Sequence, residues 1–271
     1  MTDTDLARIA AALERLAPPP AIQADAQAHA AYVWRGDGLA AARAFDPMPI
    51  ALLTGVDLQK RAVLENTRRL AAGNAAHDVL LWGARGMGKS AMVKSAVGAV
   101  RGEGGDIALV EVPEDRVASL PGLFAAIADV PRAFAIFIDD LGFDDNGGEA
   151  RLLRSVLEGG AEARPANARI HVTSNRRHIV ARAMEEQQSA INPRDVIDDR
   201  MALADRFGLS LGFHNCDQDA YLAMVETYAR IHDLPYDPAD ALLWSQQRGS
   251  RSGRVAWHYA NELAGRAGKR L

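Results

Sequence analysis

The chain has 271 residues, 48% of them apolar and 24% charged, and its 35 acidic and 31 basic side chains leave a formal charge of −4. These proportions are those of a globular protein and exclude a disordered, collagen-like or low-complexity chain. The length suffices for one large α/β domain or for a substantial core with a smaller satellite, and the charge supplies no overall field for a polyanion.

The first seventeen residues place Leu6, Ile9, Ala10, Leu13 and Leu16 at three- and four-residue spacings before Pro18-Pro19-Pro20, which predicts an amphipathic helix and its stop. Two early aspartates, with Arg8, Glu14 and Arg15 inside the apolar stretch, are unlike a secretory signal, so a cytoplasmic location is expected. A second helical stretch is expected from Ala21 to about Arg35, and a third up to Phe45. Residues 1–49 are therefore read as a helical N-terminal extension, packed on the main body or serving as a docking arm.

From about Pro49 the pattern changes to short apolar runs alternating with helical segments, the signature of βαβ units. Strands are predicted at Val79–Gly83, Ile107–Val112, Phe134–Asp139, Arg169–Thr173 and Leu209–Phe213, each apolar enough to be buried on both faces. Helices are predicted at 90–100, with Met92, Val93, Ala96, Val97 and Val100 on one face, and at 149–158, with Leu152, Leu153, Val156 and Leu157. After Phe213 the strand signal stops. Helical stretches at 217–232, 238–248 and 252–268 predict an all-helical unit over 216–271, beside an α/β core over 50–215. The longest apolar runs, at 78–82 and 133–138, are far short of the roughly 20 residues of a bilayer span, so no membrane partner is expected.

Gly83-Ala84-Arg85-Gly86-Met87-Gly88-Lys89-Ser90 matches the G-x-x-x-x-G-K-[ST] phosphate-binding pattern in full. An apolar strand leads in and the apolar-faced helix over 90–100 leads out, so loop amides and a helix N-terminus, with Ala91 beside Ser90, would converge on an anion. Glycine is expected at 83, 86 and 88 because the backbone must bend tightly and approach phosphate without a Cβ in the way. Lys89 would reach the β and γ phosphates of ATP, and Ser90 would place its hydroxyl on Mg²⁺. The strand ending Ile138-Asp139-Asp140 would hold the hydrated metal through Asp139 and orient or deprotonate water through Asp140. The next strand ends Thr173-Ser174-Asn175; Asn175 could bond the γ-phosphate or the lytic water, or simply end the strand in an Asn turn.

Together with Asp205-Arg206-Phe207 and Gly253-Arg254, these segments stand in the order of the AAA+ ATPases: Walker A, Walker B, sensor 1, arginine finger and sensor 2. The stretches LLWGARGMGKS, FIDDLGF, LEGGAEARPANARIHVTSNRRH, DRFGLSLGFHNCDQDAYL and SGRVAWHYANEL more narrowly resemble the bacterial AAA+ family catalogued as domain of unknown function 815. The resemblance covers about residues 50–271. It implies a five-stranded parallel P-loop core, the predicted strands ordered 5-1-4-3-2, and a helical lid. It further implies Arg206 as a finger reaching a neighbour's γ-phosphate in an ATP-dependent oligomer, and Arg254 as a lid arginine closing on nucleotide. Leu53, Gly55 and Val56 fall where it puts the adenine pocket. Asp140 departs from the glutamate common in AAA+ proteins, which suits slow turnover. The output implied is Mg-dependent ATP hydrolysis coupled to oligomer or lid motion on an unidentified protein or DNA client; a helicase-loader or initiator role and a slow nucleotide switch are the alternatives.

Other features are expected to be structural. Cys216, the single cysteine, excludes an internal disulfide and reads as buried filler. The basic residues Arg164, Arg176, Arg177 and His178 read as solvated charge beside Glu158, Glu162, Glu185 and Glu186. His171 lacks a metal-ligand cluster, and Trp34, Trp82, Trp244 and Trp257 are expected to be core anchors.

Overall fold

The structure is a computed structural model and describes residues 23–142, 148–159, 163–175 and 205–271, with residues 2, 4–6 and 8. Thr4–Leu6 and Arg8 are helical, and residues 9–17 of the predicted first helix lie outside the described residues, as do Glu162, Arg176, Arg177, His178, Glu185 and Glu186.

In chain order the strands are β1 (Ala31–Trp34), β2 (Leu39–Ala41), β3 (Val79–Gly83), β4 (Ile107–Glu111), β5 (Ala133–Ile138), β6 (Ala168–Ser174) and β7 (Leu209–Phe213). The helices are α1 (Asp57–Ala71), α2 (Lys89–Gly102), α3 (Leu120–Ile127), α4 (Gly148–Glu158), α5 (Gln218–Ile231), α6 (Pro238–Gln247) and α7 (Gly253–Arg266). The strands form one sheet in the order β2-β1-β4-β5-β6-β3-β7. All neighbours are parallel except β1 with β2. The five predicted strands thus appear in the implied order 5-1-4-3-2.

Period-two alternation sorts the sheet's side chains onto two cores. Val79, Leu81, Ile107, Leu109, Ala135 and Phe137 join Val63 and Leu70 of α1 and Met92, Val93, Val97 and Val100 of α2. Leu80, Ala108, Val110, Phe134, Ile136 and Val172 join Leu120, Leu123 and Ile127 of α3 and Leu153 of α4 on the opposite face. Central strand β5, Ala-Phe-Ala-Ile-Phe-Ile, is buried along its whole length. Covered faces on both sides are what a parallel sheet requires.

The sheet has seven strands among the described residues, and the reading of the N-terminal extension as helical is corrected over residues 23–49. Tyr32-Val33-Trp34 lies against the edge of β4, and the chain turns back at Gly36, whose φ is +101°, to pair β2 antiparallel. Alanine-rich composition suggested a helix, but the aromatic and β-branched trio buries more against an open sheet edge. The Trp34 indole N–H donates to Ser119 Oγ at 2.8 Å. Arg132 ties down the approach to this hairpin: it is 6% exposed, its Nη1 donates to the carbonyls of Ala26, Gln27 and His29, and its Nε pairs with Asp106 at 2.8 Å.

Helices α5–α7 begin with side-chain caps: Asp217, Asp237 and Ser252 accept from the backbone N–H of Ala220, Ala239 and Val255. Tyr221, Val225, Tyr259 and Ala260 form their buried faces, continuous with the core on the α1–α2 side of the sheet. No helix among the described residues is long and apolar enough to cross a membrane. Cys216 is only partly buried, and His171 is fully buried, its Nδ1 within 3.2 Å of the Arg169 carbonyl oxygen.

Candidate functional site

Because β3, β5 and β6 are parallel neighbours, their C-terminal ends bring Gly83, Asp139 and Asn175 to one edge of the sheet. The loop after β3 runs into α2. Gly83 has φ +115°, and a Cβ there would stand 2.2 Å from the Phe213 carbonyl oxygen. That carbonyl accepts from the Ala84 N–H at 2.7 Å. The glycine is therefore required by the crossing of β7 as much as by any phosphate. At Gly86, φ +75°, a Cβ would meet Ser252 Oγ at 2.8 Å, and the Gly86 carbonyl accepts from the Arg254 N–H at 2.9 Å. Gly88, φ +88°, starts α2.

Lys89 is 5% exposed and spends its three ammonium protons on the carbonyls of Gly83 (2.9 Å) and Ala84 (2.8 Å) and on Asn175 Oδ1 (2.9 Å). Burial pushes its pKa down to about 8; Asp140 and Asp139 oppose that shift, while Arg254 and Arg85 add to it. Asn175 uses its other end as well, its Nδ2 donating to Asp140 Oδ1 at 2.5 Å. The Ser90 hydroxyl donates to Asp139 Oδ1 at 2.6 Å, and the Thr173 hydroxyl donates to the same oxygen at 2.6 Å. Asp140 has φ +53°, a left-handed conformation uncommon outside glycine, though aspartate adopts it more readily than most residues.

Above this network lies a cleft of about 260 Å³ between the loop, the strand ends and α5 and α7. Of the residues predicted from sequence it is lined by Leu53, Val56, Gly86, Met87, Gly88, Lys89, Ser90, Ala91, Asp139, Asp140, Asn175 and Arg254. Gly83, Ala84 and Arg85 form the loop's base and do not line it, nor does Gly55, whose φ of +77° turns the chain between Thr54 and Val56. Met48, Thr54, Thr173, Met224, Tyr228, Gly253 and Trp257 also line it. Trp257, expected to be a core anchor, packs against the core and also borders the cleft, its ring edge-on to Tyr228 at 5.3 Å. No local pattern marks Met224, Tyr228 or Trp257, which lie more than a hundred residues beyond the loop; one turn of helix after Arg254 is the nearest signal for Trp257.

Arg206 is elsewhere. It precedes β7, whose five residues run parallel to β3, so about 13 Å of strand separates it from the loop. It forms an ion pair with Glu158 at the end of α4.

The donor set fits a magnesium nucleotide. Ser90 and Asp139 present hard oxygens at the first turn of α2, and Mg²⁺ is commonly held by one or two such groups plus phosphate oxygens and water. Among the described residues no group of three or more His, Cys, Asp or Glu could hold a metal, so a cation here would draw its remaining ligands from nucleotide and water.

The model of the family described as "Protein of unknown function (DUF815)" matches residues 27–267. The chain belongs to that family. No curated protein matches this DUF815 member in sequence. Among solved structures it is similar to the Thermotoga maritima RuvB Holliday junction branch migration motor, with 16% identity and a TM-score of 0.51, covering 82% of this chain and 67% of that one. It is similar also to Aeropyrum pernix Orc1 in complex with DNA, with 16% identity and a TM-score of 0.55, covering 81% and 65%. The DUF815 protein thus has the AAA+ P-loop fold and spans about two thirds of these neighbours' lengths.

Proposed function

We propose that this DUF815 protein is a cytoplasmic AAA+ ATPase that binds ATP with Mg²⁺ in the cleft and couples hydrolysis to movement of the 216–271 helical unit against the 50–215 core. The observation that carries the reading is the continuous network Lys89–Asn175–Asp140 beside Ser90–Asp139–Thr173, which gathers an ammonium, an amide and two carboxylates under a glycine loop and a helix N-terminus. Lys89 exchanges its carbonyl partners for β and γ phosphate oxygens. Ser90 and Asp139 would hold Mg²⁺, which would supply charge neutralisation at the phosphate oxygens. Asp140 accepts a proton from the attacking water as its oxygen bonds the γ-phosphorus, and the bond to the bridging oxygen breaks to release ADP. Arg254, whose backbone already bonds Gly86, carries the lid's response to the bound phosphates.

Arg206 is assigned to the nucleotide of a neighbouring subunit, a role supported by its separation from the loop of its own chain. A slow switch is the second reading. It is favoured by Asn175, which occupies both Lys89 and Asp140 and must release them before hydrolysis. A polypeptide or DNA client would act on this cycle; the names of RuvB and Orc1 point to DNA for those proteins.

The test is steady-state ATP hydrolysis per subunit as protein concentration rises, beside Asp140→Asn. A specific rate that climbs with concentration and is lost in the variant supports an ATPase acting in an oligomer. ATP binding without turnover at any concentration supports the switch.

A further inference from the structure

Thr173 is 1% exposed and lies where the ladder between β5 and β6 ends, one residue beyond the last pair, Ile138 with Val172. There its polar groups bond three consecutive residues of the facing loop. Its hydroxyl donates to Asp139 Oδ1 at 2.6 Å and accepts from the Asp140 N–H at 2.8 Å, and its carbonyl accepts from the Leu141 N–H at 2.9 Å. The middle residue of the three, Asp140, holds the left-handed φ of +53°. That conformation is disfavoured for an L-residue, less for aspartate than for most, and the bonds from Thr173 help to hold it.

The hydroxyl uses its one proton and one lone pair on the two neighbouring carboxylate residues at once, so the directions of Asp139 and Asp140 are linked through a single atom. Threonine suits the place because its branched Cβ restricts χ1 in a strand and holds the hydroxyl still.

We propose that Thr173 is a positioning residue: its hydroxyl, acting where the strand ladder stops, aims Asp139 at Ser90 and holds Asp140 in the left-handed turn that presents it to Asn175. The consequence for turnover rests on the ATPase reading above; the structural claim does not. Thr173 reaches phosphate chemistry only through the two carboxylates.

The experiment compares the full chain as wild type, Thr173→Val, which keeps the shape and removes the hydroxyl, and Thr173→Ser, which keeps the hydroxyl. Three quantities are read: amide hydrogen exchange over residues 139–141 without nucleotide, the Mg²⁺ dependence of ADP binding, and kcat and KM for ATP. In Thr173→Val the Asp140 amide exchanges roughly tenfold faster, and Mg²⁺ half-saturation of ADP binding shifts upward. Its kcat falls by about 10²-fold with KM within about threefold, as a small displacement of a reacting group produces. Thr173→Ser recovers most of each change. Unaltered protection and Mg²⁺ dependence in Thr173→Val overturn the proposal, as do equal losses in Val and Ser. Should wild type not hydrolyse ATP, the ATPase reading fails alone, because exchange and Mg²⁺ dependence still decide the role of Thr173. If Thr173→Val does not fold, Thr173→Cys, with a weak donor of similar size, replaces it in the same three measurements.

Discussion

Lys89 is held by three oxygen acceptors yet has a pKa pushed down to about 8, because burial costs the ammonium more than its two neighbouring carboxylates restore. Phosphate oxygens would raise that pKa again. Above pH 8 the free site therefore lacks a proton that the occupied site retains, binding takes one up, and nucleotide affinity falls as pH rises. Calorimetry in buffers of different ionisation enthalpy should show proton uptake near pH 9 that is lost in Lys89→Met; uptake that is unchanged in the variant sinks the assignment. In the free protein the sign is also set: between pH 8 and 10.5 the unfolded chain binds the extra proton, so Lys89's burial cost is present below pH 8 and is relieved as pH rises through that window. His171 behaves similarly at acid pH. Burial pushes its pKa down to about 4, so the unfolded state takes up the proton first and stability declines as pH drops from 6.5 toward 4. Urea midpoints for His171→Leu should show a shallower acid slope than wild type.

The elements meet at glycines. β7 passes so close to the end of β3 that a methyl group on residue 83 would overlap the Phe213 carbonyl, with backbone on both sides and nothing flexible to yield. Gly83→Ala is expected to lose at least about 3 kcal/mol, from overpacking together with a strained φ, read as a drop in denaturant midpoint. The start of α7 is a softer joint. Its cap, Ser252 Oγ accepting from the Val255 N–H at 3.3 Å, also faces Gly86. Ser252→Ala should cost about 1 kcal/mol and weaken nucleotide binding, since the same turn carries Arg254. A variant with the wild-type Kd for ADP would show that docking of α7 on the loop is not part of the site.

At the scale of the whole molecule, the Walker loop and Arg206 lie at opposite ends of the paired strands β3 and β7, and in the single chain Arg206 pairs with Glu158. A finger so placed would serve a second subunit. Arg206→Ala should bind ATP normally while losing on the order of 10³-fold in kcat, the scale of an arginine supplied to a phosphoryl group. Mixing it with Asp140→Asn should restore activity, because the Asp140→Asn subunit offers its intact Arg206 to a site on the Arg206→Ala subunit, whose own Asp140 is intact. A mixture as inactive as its components rules out action in trans.

What the sequence determined by itself is the set of features encoded locally. The glycine loop, the apolar runs of β3–β7, the carboxylates ending β5 and the helical stretches of α5–α7 each depend on residues within a few positions of one another, and each was readable. The order of the five strands came from family resemblance, not from spacing, since nothing in a strand's own residues names its neighbour. Tertiary structure alone decided the rest. Tyr32-Val33-Trp34 is a strand because β4 leaves an edge open beside it, an influence from 78 residues away that outweighs alanine-rich surroundings. Trp257 and Tyr228 border the cleft because α5 and α7 dock there. Thr173 matters because the β5–β6 ladder ends beside it, and Asn175, ambiguous as a strand-ending residue, contacts both Lys89 and Asp140 only because β6 lies between β3 and β5. The physical reason is common to all four: periodicity and turn chemistry act over a few residues, whereas edges, clefts and shared hydrogen bonds exist only once distant segments are side by side.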